Sequence, residues 1–252
     1  MKRVLYVNGC SHSCGAEISK VFSERTTEDL EKSFGGIISK KFNLLHVNDA
    51  LPGCSNKIIC STTIHHILKL LEDFKSSEIF VLIGWTHPLR SEVIYNETLY
   101  HFSGATNSFP HFKDYPSIVQ DCYNNWVNIT DLSNTIYNDF SLNYFSLVSF
   151  LNFYKIDYYF FNAVSPICRP EKNYLHKINQ NETNYRLFDL IENDANYLEP
   201  YNRNLTYYNY LQYKGYDCKI DKRNHHFTED AHIEWSNVLL DKINNKLCVQ
   251  DS

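Results

Sequence analysis

The sequence predicts an α/β fold in three layers, α/β/α, with a parallel sheet between helices. Three observations carry that prediction. Short apolar runs alternate with segments of helical periodicity, the mark of repeated strand–helix–strand units. Clusters of Gly, Ser, Cys, Thr and His follow these runs, at the edge where such sheets bind ligands. A chain of 252 residues can also bury one sizeable core, so a single domain over 1–252 with insertions is expected.

The elements follow in order. Arg3–Val7 reads as a buried strand that runs into Asn8–Gly15, "NGCSHSCG". Glu28–Lys41 has the pattern of a helix, and Asn43–Val47 that of a second strand. Leu51–Asn56, "LPGCSN", opens a helix over Ser55–Phe74, in which Ser55 is the N-cap. Its residues Ile58, Ile59, Ile64, Ile67, Leu68 and Leu71 recur at helical spacing. The third strand, Ile79–Ile83, ends in Gly84–Glu92, "GWTHPLRSE". Residues 95–131 show no periodicity and read as an insertion over the sheet edge. A helix over Asn134–Tyr154 and a strand over Tyr158–Phe161 follow. The Asn/Tyr-rich residues 173–223 read as a second insertion, and Ile233–Leu247 as a closing amphipathic helix.

Composition excludes several classes. The formal net charge is −5, with Lys and Arg scattered, which argues against a nucleic-acid groove. No apolar run is long enough to span a bilayer, and no signal peptide is expected. The eight cysteines contain no C-x-x-C pair and no secreted-framework spacing, so reduced thiols in a cytoplasm are the expectation.

Every polar cluster falls at a strand's carboxyl end or at a helix N-terminus facing that edge. Here the chain resembles the SGNH (GDSL-like) hydrolase superfamily, over its two ends and the three clusters of its first third. In that family a Gly-Asp-Ser motif after strand one carries the nucleophile, and Gly9-Cys10-Ser11 matches with Cys in place of Asp. A glycine after strand two donates its N–H to the oxyanion, and Gly53 fits. A Gly-x-Asn after strand three supplies a side-chain donor, and Gly84-Trp85-Thr86 has Thr at that place. The catalytic His lies just before the last helix, and Asp230-Ala231-His232 fits loosely.

The resemblance implies a flavodoxin-like sheet and a serine-dependent ester hydrolase. Its substrate would be an acyl or acetyl ester of a carbohydrate, lipid or small molecule, with no metal or organic cofactor. Ser11 needs a base, for which His232 is the expectation. Asp230 is the first choice to orient that imidazole and Glu229 the second. The N–H groups of Ser11 and Gly53 with the Thr86 hydroxyl would hold the oxyanion, while Asn56 and Arg90 would touch substrate. His225 and His226 are rivals to His232 that lack an acid at suitable spacing before them.

Other readings stand beside these. Ser11 could cap a helix, and Cys10 could be the nucleophile, although nothing specific lowers its pKa. Cys10, His12 and Cys14 have the wrong spacing for a zinc knuckle. Cys14, Cys54 and Cys60 suit small packing positions. His87, Arg90 and Glu92 suit a solvated loop as well as a pocket. The alternative function is a catalytically impaired scaffold that binds a ligand or partner protein.

Overall fold

A computed structural model describes residues 3–19, 26–103, 106–108, 110–129, 132–167, 183–216, 218 and 226–248. Along the chain, β1 (Val4–Gly9) precedes α1 (Thr27–Lys32) and α2 (Phe34–Lys41). Next come β2 (Leu45–Asn48), α3 (Asn56–Asp73) and β3 (Ile79–Trp85). A hairpin of β4 (Ser91–Tyr95) and β5 (Thr98–Phe102) leads to α4 (Ser117–Ile129) and α5 (Leu132–Tyr154). The remaining elements are β6 (Asp157–Asn162), α6 (Thr183–Glu192), α7 (Tyr207–Tyr213) and α8 (Glu229–Leu247).

The four expected strands form one parallel sheet in the order β2–β1–β3–β6. β1 and β3 are buried along their whole length, as strands covered on both faces must be. Alternating side chains point to opposite faces and so assign the layers. Asn8 of β1 donates its amide to Thr62 and Thr63 of α3, each at 2.9 Å. Phe160 of β6 and Trp85 of β3 meet Tyr144 and Phe140 of α5. On the other face, Phe161 meets Phe34 of α2 and Trp235 of α8, edge to face. The chain is therefore a mixed α/β structure with a parallel central sheet, α3 and α5 on one face and α2 and α8 on the other.

Two departures from the expected elements have local causes. The helix expected over Glu28–Lys41 is broken at Ser33, whose backbone is extended. Ser33 ends α1 and its hydroxyl accepts from the Gly36 N–H, so one Ser terminates one helix and caps the next. The first insertion begins as the β4–β5 hairpin, turned by Asn96 and Glu97, both with positive φ. Two consecutive residues in that region suit the twist of a two-residue turn. Phe102, Phe112, Val119 and Tyr123 give this segment a small aromatic core of its own.

The second expected insertion joins the main core where it is described. Phe188, Tyr197, Tyr207 and Leu211 are buried there with the sheet residues. The Phe160 N–H donates to Asn196 O, and the Leu198 N–H to Phe160 O, which adds a short parallel bridge beyond β6. Residues 173–182, 217 and 219–223 of that stretch lie outside the described residues.

His232, in the second turn of α8, ties three elements together. Its Nδ1 accepts from the Phe34 N–H at 3.3 Å, satisfying one of the unpaired donors at the start of α2. The ring proton therefore sits on Nε2, which faces the Tyr207 hydroxyl at 3.1 Å. Phe34 stacks on the ring. Burial, with a smaller contribution from His226, drops the His232 pKa to about 3. On β2, burial alone drops that of His46 to about 4.

Both groups are depressed bases, so the unfolded chain takes up their protons first as pH falls. Their contribution is complete above about pH 6.5 and is lost as pH falls toward 4. In urea titrations across that window, stability should fall with a slope approaching two protons, about 2.7 kcal/mol per pH unit. His46→Gln should remove about half of that slope.

Candidate active site

Three strand ends meet at one edge of the sheet. Gly9 and Gly84 are direct neighbours in the β1–β3 register. The chain folds back after Gly9 in a tight turn, with the Ser13 N–H donating to Cys10 O at 2.9 Å. Ser13 Oγ lies so close over both glycines that an added Cβ would stand 2.2 Å from it at Gly9 and 2.5 Å at Gly84. The loop after β2 hangs on the same place. The Leu51 N–H and the Cys54 thiol both donate to Gly9 O, each at 3.1 Å.

Ser11 sits on the β1 turn, 6% exposed, and its hydroxyl makes no hydrogen bond among the described residues. Its backbone N–H and that of Gly53 are likewise unbonded among them. Gly53 has φ +78°, a left-handed conformation that glycine adopts without strain. Cys10 is wholly buried in the main core, which removes it as an accessible nucleophile. Burial pushes the Cys54 thiol up as well.

Asn56 and Thr86 form a reciprocal pair. Asn56 accepts from the Thr86 N–H at 2.9 Å and donates to Thr86 O at 3.2 Å. The Asn56 amide thus holds the end of β3, in place of the substrate contact expected for it. The Thr86 hydroxyl is buried and has no hydrogen-bond partner among the described residues.

The structure does not bring Asp230 to His232. Helix α8 begins at Glu229, with Thr228 at its N-cap, four residues earlier than expected. Asp230 therefore lies exposed on the first turn, and Glu229 beside it is also exposed. Both nitrogens of His232 are taken by Phe34 and Tyr207. Among the described residues, then, no carboxylate orients that ring. Among the described residues, the histidine nearest ahead of the helix is His226. Its Nδ1 lies 2.7 Å from Glu17 Oε2, and its ring meets the His12 ring edge-on at 5.2 Å. His12 is the neighbour of Ser11, so the His226 ring stands beside the β1 turn.

Glu17 comes from the far end of that turn, 209 residues from His226, and holds φ at +65°. A non-glycine residue in that region is strained by roughly 1–3 kcal/mol, which its surroundings must offset. Asp29 holds two residues that follow: its carboxylate accepts from the N–H and the hydroxyl of both Ser19 and Thr26. Burial alone would raise the Asp29 pKa, but these bonds outweigh it and lower it. No acid precedes His226 at close spacing, so its partner was invisible in a search along the chain. The readable signal was the Thr228 cap, which makes His226 the last loop histidine.

A cavity of about 350 Å³ opens beside Gly53. Pro52, Gly53, Arg90, His101, Phe102, Ser103, Thr106 and Tyr115 line it. His101, from β5, is close enough that a Cβ on Gly53 would be 3.4 Å from its ring. Burial and the Arg90 charge both lower the pKa of His101, and of His87 nearby. Among the described residues no three His, Cys, Asp or Glu side chains are grouped as metal ligands. Among the described residues no helix is long and apolar enough to cross a membrane.

No family model matches the sequence, and no curated protein matches it significantly. Solved structures do match its backbone. A carbohydrate esterase is 13% identical, covering 96% of this chain and 68% of its own, with a TM-score of 0.48. A protein described as lipolytic, of the G-D-S-L family, from Desulfitobacterium hafniense DCB-2 is 10% identical, with coverages of 94% and 98% and a TM-score of 0.49. A psychrotrophic esterase from Pseudoalteromonas sp. is 11% identical, with coverages of 98% and 99% and a TM-score of 0.45. These three structures, described as esterases or as lipolytic, are far from this chain in sequence.

Proposed function

We propose that the chain is a serine-dependent ester hydrolase in which Ser11 attacks, His226 is the base and Glu17 orients it. The observation that carries this reading is the Glu17–His226 pair beside the Ser11 turn. A carboxylate on Nδ1 fixes the tautomer that leaves Nε2 able to take a hydroxyl proton. Ser11 is inert without such a base.

Attack on the ester carbonyl would move the Ser11 proton to His226 Nε2 and develop an oxyanion. The N–H groups of Ser11 and Gly53 are the donors for it, since neither is otherwise engaged among the described residues. His226 would then return its proton to the departing alkoxide, leaving an acyl-Ser11. Water, deprotonated by the same imidazole, would release the acid and restore the serine. The Thr86 hydroxyl is the proposed third donor. Asn56 fixes its backbone, its β-branched side chain has few rotamers, and a buried hydroxyl without a partner is costly unless something uses it.

Labelling by a fluorophosphonate probe tests the nucleophile. Wild type should label, whereas Ser11→Ala should not. A folded wild-type chain that fails to label would leave the binding-scaffold reading in its place. Hydrolysis of p-nitrophenyl acetate separates the two histidines. His226→Gln should lower turnover by about 10³-fold or more, and Glu17→Gln by somewhat less. His232→Gln should lower the melting temperature while the folded fraction keeps most of its turnover. The reverse assignment of losses would restore His232 as base.

Thr86→Val tests the third donor, because it keeps shape and removes only the hydroxyl. Turnover should fall by about 100-fold with KM little changed and stability equal or higher. Unchanged turnover would make Thr86 a structural residue.

A further inference from the structure

We infer that the cavity beside Gly53 is a carboxylate subsite, so that the preferred substrates are esters carrying a negative charge near the reacting carbonyl. This rests on the hydrolase reading above and assigns its substrate class. Arg90 lines the cavity, and its Nη1 is buried with no hydrogen-bond partner among the described residues. A buried guanidinium nitrogen left unpaired is costly, and an anion is its natural complement. A second orphan lies on the same wall: His101 Nδ1 is also buried without a partner there. Because the His101 pKa is depressed, that ring is neutral near pH 7 and can offer one N–H without adding charge. Ser103, Thr106 and Tyr115 add hydroxyls to the lining.

One cation and one neutral donor suit a singly charged planar group, which a guanidinium grips with two parallel bonds. A phosphate dianion would call for more positive charge. With a formal net charge of −5 the chain does not attract anions as a whole, so the attraction is local. Glu92 pairs with His101 across the hairpin and is a competing carboxylate. It makes no ion pair with Arg90 among the described residues and does not line the cavity.

The test compares the 4-nitrophenyl monoester of succinic acid with neutral 4-nitrophenyl pentanoate. Wild type should favour the anionic ester by about tenfold or more in kcat/KM. Arg90→Gln should erase that preference, chiefly by raising KM for the anionic ester. Arg90→Lys should recover part of it. Added salt should raise KM for the anionic ester only. Equal losses on both esters in Arg90→Gln, or no preference in wild type, would overturn the subsite.

If neither ester is hydrolysed, the hydrolase reading has failed and the subsite is judged by binding. Succinate should then raise the melting temperature of Ser11→Ala protein by about 2 °C or more, and not that of the Ser11→Ala/Arg90→Gln protein. No shift with succinate, or a shift with inorganic phosphate alone, would overturn the carboxylate assignment.

Discussion

The site depends on two missing side chains. Gly9 and Gly84 stand side by side at the ends of adjacent parallel strands, and the turn after β1 folds back directly over them. A methyl group on either would displace Ser13, and with it the turn that presents Ser11. The same closeness leaves the Gly9 carbonyl free to accept from the β2 loop twice, at Leu51 and Cys54. Position along β1, β2 and β3 is thereby converted into distance between Ser11, Gly53 and Thr86. Parallel pairing makes this possible, since all three strands finish at one edge.

Around that edge, the histidines meet different neighbours. His232, enclosed by Phe34, Tyr207 and the start of α2, is held neutral and serves as a packing and capping group. His101 is kept neutral by burial and by Arg90. His226 alone among these has a carboxylate on Nδ1. One carboxylate sets the third ring apart from the first two.

The sheet was legible because its strands are short apolar runs with nowhere to go but inside. The positions of Ser11, Gly53 and Thr86 at strand ends followed from the same pattern. What failed was finer. The break at Ser33 lies inside a continuous helical periodicity, and only the extended backbone of that residue reveals it. The turn at Asn96-Glu97 lacks the glycine that marks most tight hairpins. The amphipathic pattern of α8 runs from Ile233, whereas the helix itself begins at Glu229, after Thr228. That shift of four residues moved His232 from helix to loop in the expectation and put it ahead of its rival His226. Glu17 was beyond reach for another reason: no local pattern encodes a contact across 209 residues.

That long separation also orders events during synthesis. Glu17 is made 209 residues before His226, and the two are partners. An intermediate can form β1, β2, β3 and their helices and still lack the pair, because His226 is placed only when α8 docks against α2. Closing so large a loop is entropically the slow part of such a fold. The chain is therefore built with this pair apart, and the step that completes the core is the same step that closes it.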